Sequence, residues 1–465
     1  MEIKNAWEKY TAEDLQALEA LNEEYKAFLD NGKTERECVT EAVAMAEKAG
    51  YRELYAALKK GAPKAGDKLY AVCMNKTLAL FQMGKEPLEN GMNILGAHID
   101  SPRVDVKQNP LYETEGLAYL DTHYYGGIKK YQWVTQPLAI HGVVAKKDGK
   151  TVSICVGEDP ADPVFVFTDL LIHLSAVQME KKAGQVIPGE NLDLLVGNRP
   201  LEKSKLKKDQ KDAVRANVLA LLKEKYNLEE EDFVSAELEI VPAGKARDCG
   251  FDRSMILAYG QDDRVCAFTS LYAMLQENKA LRRTSCCLLV DKEEIGSVGA
   301  TGMQSFWFEN VVAELIAATQ GESFLATRRA LANSNMLSSD VSAGYDPLYA
   351  LEIFEKRSAA FLSRGMSFNK FTGSSGKSGS NDANAEYLGD IRRIMDGAKV
   401  TYQFSELGRV DAGGGGTIAY IMAKYGMNVI DSGVAVLNMH APYELSSKAD
   451  VYEAVKGYRA FLKNA

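Results

Sequence analysis

Ser285-Cys286-Cys287-Leu288-Leu289-Val290 runs directly into Asp291-Lys292-Glu293-Glu294-Ile295-Gly296. The first six residues carry no charge, and acid and glycine follow at once. A strand with one wet face alternates apolar and polar residues; a strand covered by helices on both faces has no need to. The stretch therefore reads as a buried strand of an α/β sheet that ends in a polar loop. Further along, 310–318 is helical in pattern and 429–436 is strand-like. In 447–462, Val451, Ala454, Val455, Tyr458 and Leu462 share one helical face. In the other direction, 93–99 is a second apolar run, closed by Asp100-Ser101-Pro102. Proline lacks a backbone donor and cannot continue a central strand, so a functional loop is expected there. Lys68–Cys73 and 77–83 read as strands joined by a turn at Asn75-Lys76. The first fifty residues read as two helices opened by Thr11 with Asp14 and Thr34 with Glu37, and stopped at Asn31-Gly32 and Gly50.

Between these regions the character changes. From 104 to 251, short strand patterns (138–145, 152–156, 238–241) are broken by turns and charged stretches, with a helix at 214–226. The expected fold is α/β: a mixed sheet flanked by helices, made from residues 1–103 and 252–465, with a smaller β-rich domain inserted at 104–251. No internal repeat at a solenoid period is present.

Composition narrows the function classes. The chain has 465 residues, 46% apolar and 26% charged, with a formal charge of −9. A net negative protein repels phosphate backbones, so no nucleic-acid partner is expected. The basic stretch 203–211 is interrupted by Asp209 and followed by acid at 229–232, and reads as a solvated loop. No apolar run approaches the ~20 residues of a membrane span. Met1-Glu2-Ile3-Lys4 opens a mixed-charge start without the apolar stretch of a signal peptide, so a cytoplasmic location is expected. Seven cysteines without a Cys-x-x-Cys pair argue against a disulfide framework or a thiolate zinc site. Only five histidines occur (His98, His123, His141, His173 and His440), so any imidazole chemistry draws on that set.

Five segments place acid or histidine beside glycine, serine or proline at the ends of apparent strands. They are Gly96-Ala97-His98-Ile99-Asp100-Ser101-Pro102, Gly260-Gln261-Asp262-Asp263-Arg264, Asp291-Lys292-Glu293-Glu294-Ile295-Gly296, Ser338-Ser339-Asp340 and Asn438-Met439-His440-Ala441-Pro442. In open α/β sheets, ligands gather outside the carboxyl ends of strands. Each segment alone has a plain reading: a satisfied histidine at a strand end, an exposed acidic turn, a loop before a helix. Together they hold the donors zinc prefers, imidazole nitrogen at ~2.0–2.1 Å and carboxylate oxygen at ~2.0–2.2 Å. Two histidines and three carboxylates can hold two metals when one carboxylate bridges. His98 and Asp100, one residue apart, point to the same side of an extended strand, so one can bind metal while the other orients it. Glu293 and Glu294 face opposite ways in extended chain, so one can ligate while the other takes a proton.

In this order, the five segments resemble the aspartyl aminopeptidase family, which includes the vacuolar aminopeptidase I type. Tyr125-Gly126-Gly127, Asp169-Leu170-Leu171-Ile172-His173-Leu174 and Asn369-Lys370-Phe371-Thr372-Gly373 extend the likeness over nearly the whole chain. The resemblance implies a two-zinc exopeptidase that removes N-terminal residues from peptides by a hydroxide bridging the ions, with Co2+ or Mn2+ as replacements. It implies that His98 and Asp340 bind one zinc, Glu294 and His440 the other, and that Asp262 bridges. It further implies Glu293 as general base, Asp100 as support for His98, and His173 as a carbonyl-polarising residue that reaches a neighbouring subunit. A homo-oligomer follows, a tetrahedral dodecamer in family terms, with the β-rich insert as its oligomerisation domain. The family name implies acidic N-termini, Asp or Glu, which need a cation in the pocket; Lys370 holds the matching position and Lys377 is the runner-up. Neutral apolar N-termini, or a related two-metal deacylase, are the alternatives. Val341-Ser342-Ala343-Gly344-Tyr345-Asp346-Pro347 departs from the animal members, which carry histidines there, and leaves the substrate preference open.

Gly413-Gly414-Gly415-Gly416-Thr417 lacks the phosphate-loop spacing and reads as a tight loop at the substrate cleft, where missing side chains make room for peptide backbone. Ser374-Ser375-Gly376-Lys377-Ser378-Gly379 reads as a second polar loop of the same pocket.

Overall fold

The computed structural model describes residues 4–206 and 211–465. Residues 1–3, and 207–210 of the basic stretch, lie outside the described residues. Two compact units divide the chain, one of residues 1–101, 246–439 and 444–465, the other of residues 102–245 and 440–443.

The first unit is built on a nine-stranded sheet. Its order is Arg52–Glu53, Lys68–Cys73, Thr77–Gln82, Thr284–Val290, Met92–His98, Asn335–Ser339, Asn428–Gly433, Met366–Asn369, Tyr402–Ser405. The four strands from Thr284–Val290 to Asn428–Gly433 run parallel, and Thr77–Gln82 and Met366–Asn369 flank them antiparallel. The sheet is mixed, as the sequence implies. Alternate residues of its central strands enter two different cores. Leu95, Ala97, Cys287 and Leu289 pack with the helices Ala12–Asn31, Gln261–Leu275 and Lys448–Asn464. Ile94, Cys286, Leu288 and Val290 pack with Trp307–Gln320 and Phe324–Ala332 on the opposite face. Both faces are dry, which is why the 285–290 run shows no alternation. A smaller five-stranded sheet, Arg247–Cys249, Met255–Ala258, Glu444–Ser447, Ala435–Leu437 and Ser342–Ala343, completes the unit.

Both N-terminal helices open with reciprocal capping boxes, Thr11 with Asp14 and Thr34 with Glu37. The 429–436 run is two strands, not one: Asn428–Gly433 belongs to the large sheet and Ala435–Leu437 to the small one. The chain changes sheets at Gly433-Val434, and an unbroken apolar run carries no mark of that change.

The second unit is an antiparallel six-stranded sheet, Thr151–Val156, Leu138–Ala145, Ala236–Pro242, Arg103–Thr114, Leu117–Tyr125, Leu194–Gly197, with the helix Ala213–Tyr226. All seven cysteines are free thiols. No helix among the described residues is long and apolar enough to cross a membrane.

Candidate metal centre

Three of the five segments leave the carboxyl ends of adjacent parallel strands. His98 is the last residue of Met92–His98, Asp340 follows Asn335–Ser339, and the acidic loop follows Thr284–Val290. Strand Met92–His98 lies between the other two. The fourth segment arrives from the small sheet, where Met255–Ala258 turns at Gly260 (φ 71°) into the helix Gln261–Leu275. Asp262 and Asp263 lie at its start with non-helical backbone, joined by a cis peptide bond. The Asp262 N–H donates to Glu444 Oε2 at 2.8 Å, and Ser101 Oγ donates to the Asp262 carbonyl at 2.7 Å. Arg264, next to Asp263 and fully buried, donates to the carbonyls of Ile99 (3.2 Å) and Lys33 (2.9 Å).

Side-chain donors converge in two groups that share His98: His98, Asp262 and Glu294, and His98, Asp263 and Asp340, each with ligand atoms within 4.8 Å of one another. His98 Nε2 lies 3.2 Å from Asp262 Oδ1 and 3.9 Å from Glu293 Oε2, while its Nδ1 faces Asp100, 3.4 Å from Oδ1 and 3.0 Å from the carbonyl. Asp100 also accepts the N–H groups of Glu293 at 3.1 Å and Glu294 at 3.2 Å, one on each carboxylate oxygen. These bonds explain a departure from the sequence reading. Glu293 and Glu294 are not extended but curled in the 3-10 turn Glu293–Ile295, between left-handed Lys292 and Gly296. Asp263 was not singled out as a ligand from the sequence. The Asp262-Asp263 doublet was the available signal, and it could not say that the second carboxylate joins Asp340.

The electrostatics fit a cation site. Burial opposes charge on His98, but its hydrogen bonds to Asp100 and Asp262 and the charges of Asp263 and Glu293 hold it well above the usual histidine range. Burial, joined by the charge of Asp262, pushes Asp263 well above the carboxylate range against the pull of His98. Burial and then the charge of Asp263 do the same to Asp340. Asp263 Oδ1 is buried with no hydrogen-bond partner among the described residues. Crowded acids driven toward their neutral forms are a set in which protons do what divalent cations do better. Imidazole and carboxylate donors at this spacing suit zinc.

The remaining candidates belong to neither donor group. His440 groups with the second unit, where its Nδ1 is 2.8 Å from the Gly127 carbonyl oxygen, and neither donor group includes it. His173, also in the second unit, sits exposed in the turn Ile172–Leu174. Lys370, after the strand Met366–Asn369, is exposed and its ammonium has no partner among the described residues. Lys377 is engaged: its Nζ lies 3.1 Å from Asp382 and 4.0 Å from the centre of the Phe371 ring.

The family model described as aminopeptidase I zinc metalloprotease (M18) matches residues 28–462. A probable M18 family aminopeptidase 1 of Clostridium acetobutylicum is 60% identical, covering 100% of this chain and 98% of that protein. The crystal structure of aminopeptidase I from Clostridium acetobutylicum superposes with a TM-score of 0.92, at 57% identity over 100% of both chains. The yeast mApe1 dodecamer structure, 21% identical, has a TM-score of 0.76, with 95% of this chain and 96% of that one covered, and shows the shared fold.

Proposed function

The chain belongs to the M18 family of aminopeptidase I zinc metalloproteases, and from that premise we propose which residues carry the hydrolysis and which N-termini are selected. It is a zinc-dependent aminopeptidase. The observation that carries the site reading is the convergence of Asp262, Glu294, Asp263 and Asp340 on His98 in two donor groups. The residues that would hold zinc are His98, Asp262, Glu294, Asp340 and His440, with Asp263 as an additional carboxylate beside Asp340. Two zinc ions so held supply Lewis-acid polarisation of the scissile carbonyl and a water acidified toward neutral pH. Glu293 is the proposed general base: it takes the proton of the attacking water and returns it to the leaving amine. Asp100 keeps His98 in one tautomer and holds the Glu293 and Glu294 amides, so a single carboxylate sets both the ligand and the base.

The proposed preference is for Asp or Glu at the N-terminus. What supports it is the contrast between the two lysines, since Lys377 already pairs with Asp382 while Lys370 has no partner among the described residues. We also place the chain in a homo-oligomer, a tetrahedral dodecamer, with residues 104–251 as the oligomerisation domain. The exposed apolar run Leu170, Leu171, Ile172, Leu174 around His173 supports an interface there.

One experiment tests the reading. Zinc is quantified in the purified protein, and kcat/KM is measured for aspartyl, glutamyl, leucyl and N-acylated substrates on wild type and Lys370→Leu. Two zinc ions per chain, no turnover of acylated substrate, and a loss in the variant confined to Asp and Glu substrates are expected. Wild-type preference for Leu overturns the acidic assignment, and turnover of acylated substrate overturns the aminopeptidase mechanism.

A further inference from the structure

Asp431 is a buried carboxyl with no part in the chemistry above. It lies on Asn428–Gly433, in register with Ser338 of one neighbouring strand and Asn369 of the other. Ser338 stands two residues before Asp340, and Asn369 immediately precedes Lys370. Among the described residues, Thr417 Oγ1 donates to Asp431 Oδ1 at 2.7 Å, Ser338 of the neighbouring strand also bears on the carboxyl, and Oδ2 is buried. Thr417 ends the glycine run 413–416, and its hydroxyl also accepts the Ala419 N–H (3.2 Å) at the start of the helix Ala419–Ala423.

The glycine run interlocks with the loop that follows Lys370. A Cβ on Gly414 (φ +135°) would sit 2.5 Å from the Gly373 carbonyl oxygen and from Ser374 Cα, and one on Gly373 would sit 2.3 Å from the Ser378 carbonyl oxygen. The Gly415 N–H reaches the Thr372 carbonyl at 3.4 Å, and Ser374 and Ser378 exchange backbone hydrogen bonds at 3.1 and 3.0 Å. The far end of the Lys370 loop returns to Asp431's strand, where Asn381 Nδ2 donates to the Val429 carbonyl at 2.7 Å. Where Gly414 meets Gly373 and Ser374, backbone packs on backbone, so the two loops bear directly on each other.

We propose that Asp431 is a positioning residue for the substrate: through Thr417 it fixes the interlocked loops 370–380 and 413–417 and so sets affinity for the N-terminal residue. This rests on the reading that the Lys370 loop lines the substrate pocket. The groups facing Asp431 are Thr417, Ser338 and Asn369, none of them charged. Burial pushes its carboxyl up to about 7, against the opposing effects of the Thr417 and then the Ser338 hydroxyl. Above that pH the carboxylate holds Thr417 by a charge-assisted bond; below it the bond is between neutral groups and weaker.

Steady-state kinetics of wild type, Asp431→Asn, Thr417→Val, Thr417→Ser and Lys370→Leu between pH 5.5 and 8.5 test the proposal, with zinc content checked for each. Losing a hydrogen bond to a charged group is worth about tenfold, so at pH 8 Asp431→Asn and Thr417→Val are expected to raise KM about tenfold while kcat stays within roughly threefold. Thr417→Ser, which keeps the hydroxyl, is expected to recover most of the loss. The KM gap between wild type and Asp431→Asn is expected to shrink below pH 7, because the wild-type carboxyl is then neutral as well. If Lys370→Leu changes the Asp and Glu preference but neither the Asp431 nor the Thr417 variant moves KM, the proposal fails and the pocket reading stands. If none of the three moves KM or preference, both fail. A fall in kcat at constant KM in Asp431→Asn also overturns the proposal.

Discussion

Asp100 shows how much one side chain can hold. Its Oδ1 faces His98 Nδ1 at 3.4 Å, and its two oxygens accept the amides of Glu293 and Glu294. Removing it should loosen both the proposed metal ligand His98 and the loop of the proposed base Glu293. Such partners typically contribute about 10–100-fold in metal affinity or activity. Asp100→Ala is therefore expected to lose zinc faster than wild type under chelator dialysis and to lose activity in that range; unchanged zinc retention and rate would remove Asp100 from the site. Glu293→Gln keeps the shape and both amide bonds but cannot accept a proton. It is expected to retain zinc and lose about 10²–10⁴-fold in kcat, and a rate within a few-fold of wild type would assign the base elsewhere. His98, Asp262, Glu294 and Asp340, whose donor atoms the structure groups, were legible in the sequence because strand-end chemistry sits next to glycine and proline. The division of labour within Asp262-Asp263 was not, because adjacent carboxylates look alike until the backbone shows where each is aimed.

At the scale of elements, the site depends on strands approaching closely where a side chain would intervene. Gly433 ends the strand beside Asn335–Ser339, and a Cβ there would sit 2.0 Å from the Asp340 carbonyl oxygen and 2.6 Å from its carbon. Backbone cannot yield as a flexible side chain can, and overpacking of this kind costs about 1–3 kcal/mol. Gly433→Ala is expected to displace Asp340, lowering zinc content with little change in far-UV circular dichroism. Gly389 is the control: it lies exposed in the helix Ala385–Gly397 and a Cβ there meets nothing within 4 Å. Gly389→Ala is expected to leave zinc untouched and to gain up to about 1 kcal/mol in chemical unfolding, since alanine loses less backbone freedom than glycine. The same comparison explains what could be read of the elements. The 285–290 strand and the capped helices announce themselves within a few residues. The five-stranded sheet does not, because Met255–Ala258 finds its partner in Glu444–Ser447, nearly two hundred residues away, and short strands carry too little pattern to reveal a distant neighbour.

At the scale of the whole molecule, neither donor group found among the described residues lies in the second unit, yet that unit carries His173 among side chains that a lone chain leaves in water. Leu170, Leu171, Ile172 and Leu174 are 56, 55, 70 and 71% exposed. A contiguous apolar patch of this kind marks an interaction surface, and a second copy of the chain is the partner proposed for it. If His173 completes a neighbour's active site, a chain lacking His173 and a chain lacking Glu293 can repair each other. The first still has its base and would borrow His173 from the second, whereas neither is complete if His173 serves its own chain. Co-expression of His173→Ala and Glu293→Gln, each inactive alone, decides between the two. Random pairing makes about half of the pairs mixed, and each mixed pair holds one complete site, so recovery approaching about a quarter of wild-type activity is expected. Absence of recovery in co-purified mixed oligomers would place His173 in its own subunit's site or outside the reaction. A fully active monomer in light scattering would overturn the interface altogether while leaving the donor groups around His98 as they are, because every residue in them belongs to the first unit.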